Sequence, residues 1–290
     1  MRLEGRREST NVDDRRGRSS KTAMGGLGIG GIIIAALLTW LMGGSPLDVL
    51  QNVDLSTLGE VTEQSADGRE FSPEEQELAK FSRQILAGTE DVWAREFKKL
   101  GKTYTPPRMV LYTGSVKTSC GNGSASMGPF YCSGDQCLYI DLSFFSQMRS
   151  QLGADGDFAY AYVIAHEVGH HVEYLLGILD DAHSKMASVS QKEANRISVR
   201  LELLADFYAG VWGYHDNEMF QSIEEGDLEE AIECAEVIGD NYLQEKARGY
   251  SQPETFTHGT SAQRMKWLKL GLKTGDIRQG NTFQLSDKDL

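Results

Sequence analysis

The chain is 290 residues long and contains six histidines, two of which fall four positions apart in the run His166-Glu167-Val168-Gly169-His170. On a helix, positions i and i+4 lie one turn apart on one face, so both imidazoles can reach a single metal ion. Glu167 then sits beside that face, where a carboxylate can meet a water brought to the metal. Chance would produce the H-E-x-x-H pattern in about one in a hundred chains of this composition. Two surface histidines matching by accident would sit in a polar helix. The residues before them are instead apolar, Phe158-Ala-Tyr-Ala-Tyr-Val-Ile-Ala, and imidazoles and a carboxylate placed in a buried helix need a reason to be there.

A catalytic zinc site needs three protein ligands and an open position. The metzincin arrangement would put glycine at 173 and histidine at 176; the chain has Glu173 and Leu176, which excludes that class. Glu173 shares the helix face of His166 and is a candidate ligand, but one straight helix does not readily surround an ion from three stacked positions. The stronger candidate lies downstream, in Leu201-Glu202-Leu203-Leu204-Ala205-Asp206. There Glu202 can supply the third ligand, while Asp206, one turn on, accepts a hydrogen bond from a liganding histidine and fixes its tautomer. A solvated acidic face accounts poorly for the pair, since Leu201, Leu203, Leu204, Ala205 and Phe207 surround it. Of the other histidines, His171 points about 100° away from His170 and reads as packing or polar surface. His183 and His215 flank acidic residues and read as surface.

The elements that must position these groups are mostly helical. Ser72-Pro73-Glu74-Glu75 is a helix start, with serine at the N-cap, proline in the first turn and acids behind it. That helix runs to residue 100, where Gly101 stops it. Residues 108–113 and 137–141 read as strands flanking a loop rich in Gly, Ser and Cys. Residues 158–176 and 191–214 carry helical patterning, acidic helices follow over 218–246, and 251–271 opens as a loop and closes as a short helix. One helix, a few strands and then many helices make an α+β domain that is predominantly helical. No internal repeat is visible.

The N-terminal quarter reads differently. Residues 1–23 hold seven Arg/Lys against four Asp/Glu, whereas the chain as a whole carries a net charge of −13. The acidic remainder argues against that part tracking a nucleic-acid backbone, and a short basic stretch directly before an apolar run is more often a topology signal than a nucleic-acid arm. Residues 22–47 carry no charge, and 24–42 are their apolar heart, just long enough for a transmembrane helix. A cleaved signal peptide would want a shorter run and a small-x-small site, and only Gly43-Gly44-Ser45 is weakly permissive. The expected organisation is a basic cytoplasmic tail at 1–22, a single transmembrane helix at 23–43, a stalk at 44–72 and a catalytic domain at 73–290 outside the cytoplasm, as in a single-pass inner-membrane protein. Gly26-Leu27-Gly28-Ile29-Gly30-Gly31 satisfies the dinucleotide fingerprint but lacks the strand and βαβ unit that make it work. Close helix packing, including a homodimer through Gly26 and Gly30, fits better, and ordinary membrane glycine better still. Three of the four cysteines, Cys120, Cys132 and Cys137, cluster in the Gly/Ser loop, with Cys234 apart. Outside the cytoplasm a disulfide is permitted, and Cys120 with Cys132 is the candidate pair; a zinc knuckle would want tighter spacing and four ligands.

H-E-V-G-H followed by E-L-L-A-D resembles the gluzincin pattern of thermolysin and of the membrane metallopeptidases that process prenylated proteins. More narrowly, the chain resembles the neutral zinc metallopeptidase family of bacterial membrane-anchored proteins. Carrying that resemblance are G-R-R-E-S-T-N-V-D-D-R-R-G at 5–17, G-P-F-Y-C at 128–132, H-E-V-G-H-H at 166–171 and F-T-H-G-T-S-A-Q-R at 256–264. It implies a zincin fold, membrane anchorage and peptidase activity with one zinc ion. It also implies that the later Asp206 orients a liganding histidine and that a late histidine, His258, stabilises the oxyanion of the tetrahedral intermediate. Arg264, six residues on, is a second oxyanion candidate. Equally, His258 caps the next helix and Arg264 makes a structural salt bridge.

The sequence therefore supports a membrane-anchored zinc endopeptidase acting on a protein or peptide substrate. His166, His170 and Glu202 hold the metal, and Glu167 takes a proton from water and passes one to the leaving amine. Two other readings stay open: a membrane-anchored binding or scaffold module with a structural zinc, against which the intact Glu167 speaks, and a metal hydrolase acting on non-peptide amides.

Overall fold

The computed structural model describes residues 1–17 and 70–290. The first helix, α1 (Pro73–Lys99), starts as the capping residues dictate: the Ser72 side chain accepts the Glu75 backbone N–H at 3.1 Å. It ends at Leu100, followed by Gly101 at φ 68°. The chain then enters a four-stranded sheet of β1 (Val12–Asp14), β2 (Arg108–Tyr112), β5 (Phe130–Cys132) and β6 (Cys137–Asp141), in spatial order β1-β2-β6-β5. β1 and β6 run parallel to β2, and β5 runs antiparallel to β6. Between β2 and β5 a separate hairpin of β3 (Ser115–Thr118) and β4 (Gly121–Ser124) carries the loop. The period of two decides the faces. Met109, Leu111, Leu138 and Ile140 enter the main core, whereas Val110, Tyr112, Cys137 and Tyr139 form a smaller cluster on the other face.

The remaining helices are α2 (Ser143–Gln147), α3 (Asp157–Leu175), α4 (Ile178–Met186), α5 (Gln191–Phe220), α6 (Asp227–Val237), α7 (Asp240–Arg248) and α8 (Ser261–Thr274). The protein is a mixed α+β structure, mostly helical. α5 packs against both α3 and α8, and glycines permit the close approach. A Cβ on Gly169 would stand 2.9 Å from the Ala205 carbonyl oxygen, and one on Gly271 would stand 2.2 Å from that of Phe207. Both are shorter than any side chain tolerates, so these glycines set how near α3 and α8 come to α5.

Residues 1–17 pack on the domain: β1 pairs with β2, and the N-terminal arginines are bound to acids of the domain, Arg6 to Asp216 at 2.7 Å and Arg7 to Asp91 at 2.6 Å. The acidic partners of these arginines lie far along the chain. His215 is buried rather than on the surface, its Nε2–H donating to the Gly275 carbonyl at 2.8 Å. The transmembrane helix expected at 23–43, the glycine pair proposed for a homodimer and most of the stalk at 44–72 lie outside the described residues. Among the described residues no helix is long and apolar enough to cross a membrane.

Candidate metal centre

His166 and His170 project from the middle of α3, and Glu202 and Asp206 from α5, brought opposite them by the Gly169 contact. The Nε2 atoms of both histidines face the Glu202 carboxylate, His166 at 3.2 Å from Oε2 and His170 at 3.5 Å from Oε1. Donor atoms of these three residues all lie within 4.8 Å of one another. Two imidazole nitrogens and one carboxylate, converging from two rigid helices, form the donor set of a zinc site with an open fourth position.

Each histidine is also held from behind. His166 Nδ1–H donates to Asp206 Oδ1 at 2.8 Å, and His170 Nδ1–H donates to Glu173 Oε2 at 2.9 Å. A carboxylate accepts, so Nδ1 of each ring carries a proton, and Nε2 faces Glu202, its lone pair free for a ligand once the ring has lost its second proton. Glu173 therefore serves as the orienting partner of His170 rather than as a third ligand. Its i+3 spacing from His170 signals this role, because three residues on is a neighbour on the helix surface. Tyr162, one turn before His166, donates its hydroxyl to Asp206 at 2.6 Å.

Arg264 is 4% exposed, and its Nε and Nη2 donate to the two oxygens of Asp206 at 2.8 and 2.9 Å. Its place is behind His166, as the counter-charge of the residue that orients that ring. His258 differs, with 47% of its side chain exposed. Asp240, which no sequence pattern marks, fixes it: one carboxylate oxygen accepts the backbone N–H groups of Thr257, His258 and Gly259 at 2.8, 2.7 and 3.0 Å. The other lies 3.2 Å from His258 Nδ1.

The electrostatics follow from burying many charges together. For Asp206, burial works upward, but Arg264 and His166 outweigh it and bring its pKa down to about 2. For His166, burial disfavours the imidazolium, yet Asp206 and Glu202 raise its pKa to about 9. Burial likewise opposes ionised Glu202, but the charges of His258 and His170 hold its pKa well below the usual range. Glu173 rises to about 7 through burial, against the pull of His170. Glu167 is raised by burial and makes no hydrogen bond to any described residue, so its carboxylate is available for a water. At His258, partial desolvation pulls downward while Glu202 and Asp240 raise the pKa.

Away from the centre, Cys120 is joined to Cys132 across the β3–β4 hairpin region, and Cys137 and Cys234 are free and buried. His171 is fully buried between the Tyr131 hydroxyl at 2.9 Å and the Thr105 carbonyl at 2.8 Å, which supports α3 against β5.

Over residues 1–283 the chain matches the family described as putative neutral zinc metallopeptidase. It is 50% identical over 291 residues to YpfJ of Escherichia coli K12, described as an uncharacterized protein, covering 98% of this chain and 99% of that one. It is 40% identical over 201 residues to the uncharacterized protein Mb2605 of Mycobacterium bovis, covering 66% of this chain and 67% of that one. No solved structure matches.

Proposed function

The chain belongs to the putative neutral zinc metallopeptidase family, and on that premise we propose that it is a zinc-dependent endopeptidase with Glu167 as its general base. The observation that carries this reading is the convergence of His166 Nε2, His170 Nε2 and the Glu202 carboxylate beside a buried, hydrogen-bond-free Glu167. A zinc ion held by those three residues supplies a Lewis acid for the scissile carbonyl and acidifies the attacking water.

The protein's own groups account for the proton transfers. Burial raises the basicity of Glu167, which suits it to accept a proton from the attacking water and to deliver one to the departing amine. His258, whose Nδ1–H faces Asp240, offers Nε2–H to the developing oxyanion as the imidazolium, the form that Glu202 and Asp240 favour. Asp206 and Glu173 hold the two ligand rings in one tautomer and orientation throughout. For the substrate, β5 is the sheet edge nearest α3, with Tyr131 against His171, the neighbour of His170. Among the described residues that strand edge is unpaired, which favours an extended peptide that can add to it by main-chain hydrogen bonds. The scaffold reading is weaker, because a structural zinc site needs neither an unpaired buried base nor an exposed histidine clamped by a carboxylate.

The test is a digest of a defined peptide pool by the zinc-loaded full-length protein, read by mass spectrometry. New termini that disappear on chelation and return with zinc are expected. An unchanged pool alongside full zinc occupancy contradicts the peptidase reading.

A further inference from the structure

Residues 16 and 71, on either side of the stretch 18–69, lie close together. The Arg16 guanidinium lies 4.3 Å from the centre of the Phe71 ring, and its Nη1 donates to the Glu75 carbonyl at 3.1 Å. Chain that leaves at residue 17 therefore returns beside it at residue 70. A single bilayer crossing between those points would separate them by the hydrocarbon thickness of about 30 Å. A second crossing to bring the chain back has no sequence to make it: residues 43–69 carry Asp48, Asp54, Glu60, Glu63, Asp67 and Arg69 and no long apolar run.

The docking of residues 1–17 is built into the domain. Arg6 makes two bonds, at 2.7 and 3.1 Å, to Asp216, whose side chain is 1% exposed. Gly88 of α1 makes room for that pair, since a Cβ there would stand 2.6 Å from Arg6 Nη2 and 2.7 Å from Asp216 Oδ1. Ser9 and Asn11 both donate to Glu90 Oε1, at 2.6 and 2.8 Å. β1 then completes the sheet, with Val12, Asp13 and Asp14 in register with Met109, Val110 and Leu111. Withdrawing the segment would strip a buried carboxylate of its only guanidinium among the described residues and expose the edge of β2, and leaving such a charge unpaired is strongly destabilising.

We propose that residues 1–17 and residues 70–290 occupy the same compartment, so that whatever contact the intervening apolar stretch makes with a membrane is made from that one side. This replaces the arrangement of a cytoplasmic N-terminus and a domain across the bilayer, and it stands independently of the peptidase reading. Glu4 and Lys288 are both exposed, and the native cysteines are either buried or joined in the Cys120–Cys132 bridge. Full-length Glu4→Cys and Lys288→Cys variants, expressed in a Gram-negative host and converted to spheroplasts, are treated with a membrane-impermeant maleimide before and after permeabilisation. The expected result is that the two cysteines behave alike, both labelled in intact spheroplasts or both only after permeabilisation. One cysteine labelled in intact spheroplasts and the other only after permeabilisation would overturn the proposal.

Discussion

Arg264 and Asp206 form a buried two-point pair in which Nε and Nη2 each donate to one carboxylate oxygen, and the same carboxylate holds the Nδ1–H of His166. One end of this chain of contacts is an arginine on α8 and the other is a metal-facing ring on α3. Arg264 Nη2 also lies 3.5 Å from His166 Nδ1, but its two short bonds go to Asp206, so it acts on that ring chiefly through Asp206.

Substitutions along that line should therefore register first in metal binding. Asp206→Asn keeps the shape but weakens the acceptor for His166, and loss of such a partner costs about 10–100-fold in metal affinity. Arg264→Leu leaves Asp206 buried without its counter-charge, which costs about 3–5 kcal/mol of stability. Zinc competition against a chromophoric chelator and thermal melts check both. A role for Arg264 at the oxyanion would instead lower turnover while zinc affinity and melting temperature stayed unchanged.

Gly169→Ala separates two opposed effects. Alanine is favoured over glycine in a helix by about 1 kcal/mol. The added methyl, however, would meet the Ala205 carbonyl at 2.9 Å and the Ala205 Cα at 3.0 Å, and backbone cannot swing aside as a flexible side chain can. Packing should win, pushing α3 from α5 and carrying His166 and His170 away from Glu202. Weaker zinc binding is the expected outcome in the chelator competition. A higher melting temperature with unchanged zinc affinity would show that the helices do not meet as described.

Zinc affinity should rise with pH. In the metal-free protein His166 titrates at about 9, so near neutrality its ring carries a proton that ligation must displace. Affinity measured at pH 6.5, 7.5 and 8.5 in matched ionic strength should climb steadily, and calorimetry in buffers of different ionisation enthalpy should register proton release. A flat profile would mean that His166 is already neutral.

His171 gives a stability signature of the opposite sign from a salt-bridged histidine. Burial lowers its pKa from 6.5 to about 4, so the unfolded chain takes up a proton at a pH where the folded one does not. Its neutral form therefore supports the fold above pH 6.5, and that support is lost progressively as pH falls toward 4. Denaturant midpoints across that window should fall more steeply for the wild type than for His171→Gln. Parallel slopes would remove His171 as a cause of acid sensitivity.

The metal-facing set is readable in the sequence because each pair in it is one helical turn apart, and helical spacing is a local property. His166 with His170, and Glu202 with Asp206, need no knowledge of the rest of the chain beyond the apolar residues around them. Glu173, three residues after His170, and Tyr162, four before His166, also lie about one turn from the histidines and could be read the same way once each ring is asked what holds its far side. The partner of Arg264 is not readable, since Asp206 lies 58 positions away and the direction of the side chain depends on how closely α8 crosses α5 at Gly271. Asp240 is hidden for the same reason, recognisable only after the 257–259 turn has folded over it. The sheet shows the same division. β2 and β6 announce themselves through runs of apolar residues, whereas β1 is three polar-flanked residues that become a strand only because β2 offers them an edge.

The most direct measurement compares full-length wild type and Glu167→Gln for zinc content and for hydrolysis of a cleaved peptide. Both should hold one zinc ion per chain, because Glu167 is not among the three converging ligands. Hydrolysis by the variant should drop by about 10²–10⁴-fold, the usual contribution of a positioned general base. A zinc-loaded variant that cleaves as fast as the wild type would contradict the account.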